Sequence, residues 1–378
     1  MGGYRGPIIA VTNETELPYD KPPLSKDYQV HASADSIRLD LTHATDIDWR
    51  RGVAASRLDL RQRELQLSDG GNVRYGTLVL ATGATPRELP NLRSAPVPVL
   101  TLRTLEDARR IRAAIGRGRR LVLIGGGVIG LELAATARGL GTDVTVIEAQ
   151  RRVMNRCAPE ALASAVATRH AEEGVDLRLG RQIAGFAGCD LLLDDGSRVK
   201  ADAIVVAIGV TANDQIARDA GIACEDGIFV DGHGRTSAPG VYAIGDVTRR
   251  TNPVNGRVER IETWANASGH GRATARGLLD PDAPPFREVP WYWSDQYDLR
   301  IQVAGSTGTE EIVRGTPGPR TRFTLIQVHQ GRIVGAACTN NPREFTAIKR
   351  TLAEGGAADI RALVDPALDL GRHLREKK

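Results

Sequence analysis

Residues Leu121 to Glu148 read LVLIGGGVIGLELAATARGLGTDVTVIE, and few folds accommodate that order. The apolar run Leu121–Ile124 has the length of a buried parallel strand. Gly125, Gly127 and Gly130 follow as G-x-G-x-x-G, with Gly126, Val128 and Ile129 between them. Leu131–Leu140 carries small and apolar residues at helical spacing, and a second apolar run, Val144–Ile147, closes on Glu148. The pattern is a β-α-β unit shaped for a dinucleotide. Gly125 permits the tight turn, Gly127 lets a pyrophosphate approach the backbone, and Gly130 lets helix and strand close up, so that the phosphates meet a helix amino end. Glu148 can accept from both ribose hydroxyls and repels a 2′-phosphate, which favours NADH over NADPH. Arg151 and Arg152 follow closely and weaken that preference.

A second copy of the module is written into the chain. Residues 66–85 (QLSDGGNVRYGTLVLATGAT) and 192–212 (LLDDGSRVKADAIVVAIGVTA) each give a strand, an Asp-Gly turn, a strand, and then an apolar strand ending at Gly83 or Gly209. The other copy should carry its own glycine triplet, and none is present. Gly125 precedes Glu148 by 23 positions; in the first copy the strand Pro7–Val11 ends near Asn13 and Glu14, where a ribose acid belongs. The same spacing counted back from Glu14 falls about nine residues before Met1. The expectation is that the chain begins inside its first module, in the turn Gly2-Tyr4-Gly6, with the first strand and its G-x-G-x-x-G missing.

The rest of the composition narrows the chemistry. The 378 residues suffice for two or three domains, and no apolar run approaches a membrane span. The amino terminus, MGGYRGPIIAVTNE, lacks a signal-peptide pattern. Cys157, Cys189, Cys224 and Cys338 are scattered, without C-x-x-C or C-x4-C spacing, which argues against a thiol–disulfide relay and a zinc site and fits a reducing cytoplasm. The net charge is +4, and 44 of the 50 basic residues are arginine, a balance that suits an acidic protein partner. Basic-aromatic interleaving and zinc knuckles are absent, so nucleic acid is not expected.

Around these modules the chain reads in order. PYDKPPLSK (18–26) places two adjacent prolines in an extended segment ahead of Ser25-Lys26. RTLEDARRIRAAIG (103–116) is a connecting amphipathic helix. SAPGVYAIGDV (237–247) brings a strand to Gly245-Asp246, and a helix opens near Trp264–Ala265. From Pro290 a small α+β piece begins, with alternating strands over 300–340 and a helix over 342–355.

PPLSK, LVLATG, IGGGVIGLE, PGVYAIGDV, RIETWANA and PWYWSDQ, in that order, resemble the FAD-dependent NADH:ferredoxin reductases. These serve bacterial aromatic ring-hydroxylating dioxygenases and P450 systems; the likeness is strongest to the biphenyl and phenylpropionate dioxygenase components and extends to putidaredoxin and rhodocoxin reductases. The resemblance implies an α/β, glutathione-reductase-like fold of two Rossmann-like domains plus the α+β tail. It divides the chain into an FAD-binding part (1–102), an NADH-binding domain (103–220), the rest of the FAD domain (221–289) and a C-terminal domain (290–378). It implies FAD and NADH as cofactors, no metal, and a [2Fe–2S] ferredoxin as partner. Residue by residue, it implies Lys26 near flavin N5 with Glu132 pairing to it, Asn13 and Glu14 at the adenosine ribose, Ala55 along the adenine, and Arg103 reaching the FAD. Thr82 and Gly83 would bring a strand end to the cofactor. Asp246, after Gly245, would bond the ribityl chain, and Trp264 would open a helix aimed at the flavin pyrimidine. Trp291 and Trp293 would shield the flavin edge. After Asn266 the chain reads ASGHG, where the family more usually carries amides.

Two alternatives accompany this reading: a reductase for rubredoxin or another small acceptor, and an inactive remnant that no longer retains FAD.

Overall fold

The computed structural model describes residues 4, 6–42, 46–365 and 367–376. Gly2, in the expected opening turn, lies outside them. The chain forms two compact units, one of residues 1–20, 34–85 and 211–290, the other of residues 21–33, 86–210 and 291–378.

The second unit holds the fingerprint. Its five-stranded parallel sheet runs in the order Asp176–Leu179, Asp143–Glu148, Arg120–Ile124, Ala203–Val206, Val99–Leu100. Arg120–Ile124 is central and buried from Leu121 onward, as the unbroken apolar run requires. The helix Val128–Gly139 packs on this sheet through Leu133, Ala134 and Ala137, where small side chains allow a close approach. The antiparallel hairpins Ile183–Ala187, Asp190–Leu193 and Arg198–Val199 form a separate three-stranded sheet. The carboxyl-terminal segment is a five-stranded antiparallel sheet, ordered Trp291–Gln296, Leu299–Gly305, Arg332–Thr339, Phe323–His329, Glu310–Gly315, with the helix Pro342–Ala353 against it. Leu299, Ile301, Phe323 and Leu325 share one buried cluster with Leu131, Met154, Leu162 and Val166, so this sheet and the helices of the nucleotide module stabilise one another.

In the first unit the strand expected over 7–11 spans Ile8–Thr12 and pairs in parallel with Ile47–Arg51. Leu78–Leu80 pairs in parallel with Val241–Ala243. These are two separate two-stranded sheets, and no strand joins them among the described residues. Ala55–Asp59, Glu64–Leu67 and Asn72–Arg74 form an antiparallel meander. The repeat is visible in its turns: Gly70 and Gly196 both have positive φ (86° and 81°), and Asp69 and Asp195 each accept from the residue two positions on.

One local expectation is corrected. Pro22–Ser25 is a 3-10 turn, not an extended segment. A proline's fixed φ suits the first turn of a 3-10 helix as well as an extended chain, and its missing N–H has no partner to lose there. The connecting helix spans Leu105–Ala114, opened by a capping box in which Thr104 and Asp107 satisfy each other's backbone N–H.

Candidate active site and nucleotide loop

Gly125 sits at φ 108°, and a Cβ there would come within 2.4 Å of the Ala207 carbonyl oxygen. A Cβ on Gly130 would lie 2.2 Å from the Gly125 carbonyl oxygen. These two glycines are required by the protein's own packing. Gly127 differs: a Cβ there meets nothing within 4 Å. The open face in front of Gly127, at the amino end of the helix Val128–Gly139, is what a pyrophosphate needs. Ile129 is exposed beside it and Gly126 is buried. Glu148 ends its strand with both carboxylate oxygens engaged by the loop, accepting from Gly126 N at 2.7 Å and Gln150 N at 2.8 Å. The guanidinium of Arg152 donates to the carbonyls of Ala158 and Asn155, so it is held away from a 2′-phosphate role.

Lys26 and Glu132 also lie in this unit, 106 residues apart in sequence. Lys26 Nζ donates to Glu132 Oε1 at 2.9 Å, with side chains 15% and 6% exposed. Glu132 projects from the helix that the glycine loop begins. Its Oε2 accepts from Ser25 Oγ, and its Oε1 also accepts from Ser294 Oγ at 2.7 Å. Thr136, one turn on, donates to the Ser25 carbonyl at 3.0 Å and pins the turn that carries Lys26. The ammonium lies 5.8 Å from the Trp293 ring centroid, within cation–π range, and Trp293 in turn neighbours Trp291 at 5.6 Å. Arg103 enters this neighbourhood by its backbone: its carbonyl accepts from Lys21 Nζ at 3.2 Å and its N–H donates to Asp107.

In the first unit the expected residues gather at strand ends. Because Leu80 pairs with Ala243 in parallel, Thr82-Gly83 and Gly245-Asp246 follow the carboxyl ends of adjacent strands, where open α/β sheets bind ligands. Asn213 clamps the first pair: its N–H donates to the Gly83 carbonyl, its Nδ2 to the Thr82 carbonyl at 2.8 Å, and its own carbonyl accepts from Thr82 Oγ1 at 2.7 Å. Gly245 takes φ 73° and its N–H donates to His270 Nδ1 at 3.4 Å. The helix Trp264–Leu279 is capped by Thr263, which accepts from Asn266 N at 3.1 Å, and Trp264 Nε1 donates to Asp20 Oδ1 at 3.0 Å. Asp246 is half-buried in the turn after Gly245. Glu14 accepts from Tyr19, Asn13 is exposed, and Ala55 opens its strand opposite Leu67.

Sequence reasoning passed over His270. It is fully buried, stacks on Phe286 at 5.2 Å, and burial together with the nearby Arg250 guanidinium pushes its pKa down to about 4. The only signal was the ASGHG departure after Asn266. Ser25, Ser294 and Gln296 were likewise missed, having no pattern of their own.

Residues 1–271 match the pyridine nucleotide-disulphide oxidoreductase family, and residues 291–374 match the reductase C-terminal family. The chain belongs to the pyridine nucleotide-disulphide oxidoreductases. This member takes FAD and NADH. It is 40% identical over 377 residues to the ferredoxin–NAD(+) reductase component of the anthranilate 1,2-dioxygenase system of Burkholderia cepacia, covering 96% of this chain and 92% of the relative. It is 37% identical to the 3-phenylpropionate/cinnamic acid dioxygenase ferredoxin–NAD(+) reductase component of Photorhabdus laumondii subsp. laumondii, covering 93% and 90%. The covalent putidaredoxin reductase–putidaredoxin complex contains a chain that superposes with TM-score 0.94 at 33% identity, covering 99% of this chain and 93% of that one.

The residues present fit both cofactors. The open Gly127 face, the helix amino end and Glu148 suit NADH. Within the first unit, the Gly245 turn, the clamped Thr82-Gly83 end and the capped Trp264 helix suit a flavin nucleotide. Among the described residues no group of His, Cys, Asp and Glu could hold a metal, and no helix is long and apolar enough to cross a membrane.

Proposed function

We propose that this chain is the NADH-dependent flavoprotein reductase of an aromatic-ring dioxygenase or P450 system, acting in the cytoplasm on a small [2Fe–2S] ferredoxin. The observation that supports it most is the Lys26 environment. The turn Pro22–Lys26 carries a serine and a lysine where a thiol relay would need cysteine, and Cys157, Cys189, Cys224 and Cys338 are all free. Burial pushes the Cys338 thiol up to about 12 and raises that of Cys157, so neither is a ready nucleophile. This supports electron delivery without a thiol relay, and the dioxygenase-system relatives are named as ferredoxin–NAD(+) reductase components.

When bound, FAD supplies the change from hydride transfer to single-electron transfer. The chain's residues do the rest. Glu148 and the Gly125–Gly127 loop hold NADH. Lys26, whose ammonium is held by Glu132 and by Ser25's hydrogen bond to the same carboxylate, would face the flavin when FAD is bound. Asp246 holds the ribityl chain, Glu14 and Asn13 the adenosine ribose, and Ala55 and Arg103 further parts of FAD. The amino end of the helix at Trp264 stabilises negative charge on the ring. Trp291 and Trp293 keep water from the flavin edge. In domain terms, residues 1–102 and 221–289 serve FAD, 103–220 serve NADH, and 290–378 complete the ferredoxin-facing side.

The test is an anaerobic titration of the purified protein with NADH, followed visually at the flavin band. Electron delivery is then compared across a dioxygenase ferredoxin, a P450 ferredoxin and a rubredoxin. Bleaching by NADH with preferred turnover of a [2Fe–2S] ferredoxin is expected. Preferred turnover of rubredoxin would overturn the partner assignment.

A further inference from the structure

Behind the Lys26–Glu132 pair, side chains from two further elements form an unbroken buried line. Ser294 Oγ donates to Glu132 Oε1 at 2.7 Å, and Gln296 Nε2 donates to Ser294 Oγ at 2.9 Å. Gln296 Oε1 lies 2.8 Å from His170 Nε2, and His170 Nδ1 lies 3.4 Å from the Tyr297 hydroxyl. Glu132, Ser294, Gln296 and His170 are all at most 5% exposed, and Tyr297 at the far end is half-buried. Alternation along Trp291–Gln296 puts Ser294 and Gln296 on one face. His170 reaches them from the helix Glu160–Glu172. None of the four buried side chains leaves a polar atom unpartnered.

The direction of the line follows from the carboxylate. Glu132 Oε1 can only accept, so the Ser294 proton must point at it. Ser294 Oγ must then accept from Gln296, which fixes the amide with Nε2 toward Ser294 and Oε1 toward His170. His170 must therefore carry its proton on Nε2, leaving Nδ1 to accept from Tyr297. Turning the Gln296 amide over would set Ser294 Oγ and Glu132 Oε1 as two acceptors 2.7 Å apart. The far end is held at a conformational cost. Tyr297 sits at φ 55° in the turn before Leu299–Gly305, where Asn or Gly is the easier residue. Its ring packs against His170 at 5.0 Å and under the Arg169 guanidinium at 4.8 Å. Burial also pushes the His170 pKa down to about 4, with Arg169 acting the same way and Gln296 and Glu173 against it, so the ring is neutral near pH 7.

We propose that Ser294, Gln296 and His170 are positioning residues for the hydride step: a one-way chain of donors that fixes the Glu132 carboxylate and, through it, the aim of the Lys26 ammonium. The proposal rests on the Lys26 role given above. Its test reads the chain apart from that role. Histidine side chains are labelled with 15N in the FAD-loaded protein, and His170 is assigned by the loss of its signals in His170→Asn. The expected result is an Nε2–H tautomer at pH 7.5; an Nδ1–H tautomer overturns the proposal. In parallel, rapid-mixing reduction by NADH is measured for Ser294→Ala and Ser294→Thr. Ser294→Ala should lower the limiting flavin-reduction rate about tenfold with the KM for NADH unchanged, and Ser294→Thr should restore it to within about twofold. A wild-type rate in Ser294→Ala overturns the proposal. If Lys26→Met reduces at the wild-type rate while His170 keeps its Nε2–H tautomer, the failure belongs to the Lys26 role and not to the chain's direction.

Discussion

Lys26 and Glu132 form a nearly enclosed ion pair, Nζ to Oε1 2.9 Å, between a 3-10 turn and the first half of the dinucleotide-binding helix. The pair ties the helix that follows the glycine loop to the residue proposed to face the flavin. Glu132 is the more constrained partner, because Ser25 and Ser294 donate to it as well.

Removing Glu132 should therefore do more harm than removing Lys26. Glu132→Ala leaves an ammonium without its partner and two hydroxyls without an acceptor. Breaking such a pair from one side costs about 3 kcal/mol. Lys26→Met removes the charge but leaves Glu132 two neutral donors, and should cost about half as much. Urea midpoints for both variants check the order. The same Lys26→Met protein should lose on the order of 10–100-fold in the limiting rate of flavin reduction.

The fingerprint glycines separate into structural and ligand-facing positions, and alanine substitutions should show it. Gly125→Ala places a Cβ against the Ala207 carbonyl and forces φ 108° on an L residue, so it should destabilise the protein by more than about 2 kcal/mol. Gly127→Ala meets no protein atom, so its melting temperature should match wild type while the KM for NADH rises about tenfold or more. Calorimetry and steady-state kinetics on the two proteins distinguish the roles.

Glu148 should set the choice of coenzyme. It is the acid at the strand end, and Arg152 is occupied with the Ala158 and Asn155 carbonyls. Glu148→Arg should lower kcat/KM for NADH and raise it for NADPH, moving the ratio by about 100-fold, or roughly 2.7 kcal/mol. Paired kinetics with both coenzymes measure it.

Acid should weaken the fold through two buried histidines. His170 and His270 are both held near 4 by burial, against an ordinary value of 6.5. Between these values the unfolded chain takes up a proton that the folded one refuses. The stabilisation is therefore complete above pH 6.5 and lost as pH falls toward 4, on the order of 3 kcal/mol per residue. Urea midpoints from pH 7.5 to 4.5 should fall steeply for wild type and less so for His270→Asn. Because His270 Nδ1 accepts from Gly245 N–H, protonation also removes the acceptor that holds the Gly245-Asp246 turn. Flavin release followed by fluorescence should accompany the same pH range.

What the sequence determined by itself was local. Leu121–Glu148 specifies strand, turn, helix and strand because its neighbours in sequence are its neighbours in space, and the two Asp-Gly hairpins were legible for the same reason. Lys26, Glu132 and Asp246 were named through likeness to a family, since isolated charges carry no pattern. The tertiary structure decided how they are held. Ser25 and Ser294 lie 107 and 162 residues from Glu132, and Gln296 lies 126 from His170. It also turned the adjacent prolines at 22 and 23 into a 3-10 turn, which brings Ser25 and Lys26 to the same carboxylate. Periodicity reports which face of an element is buried. Which polar side chains meet there depends on how distant elements pack, because a hydrogen bond requires a fit of a few tenths of an ångström that only the assembled core imposes.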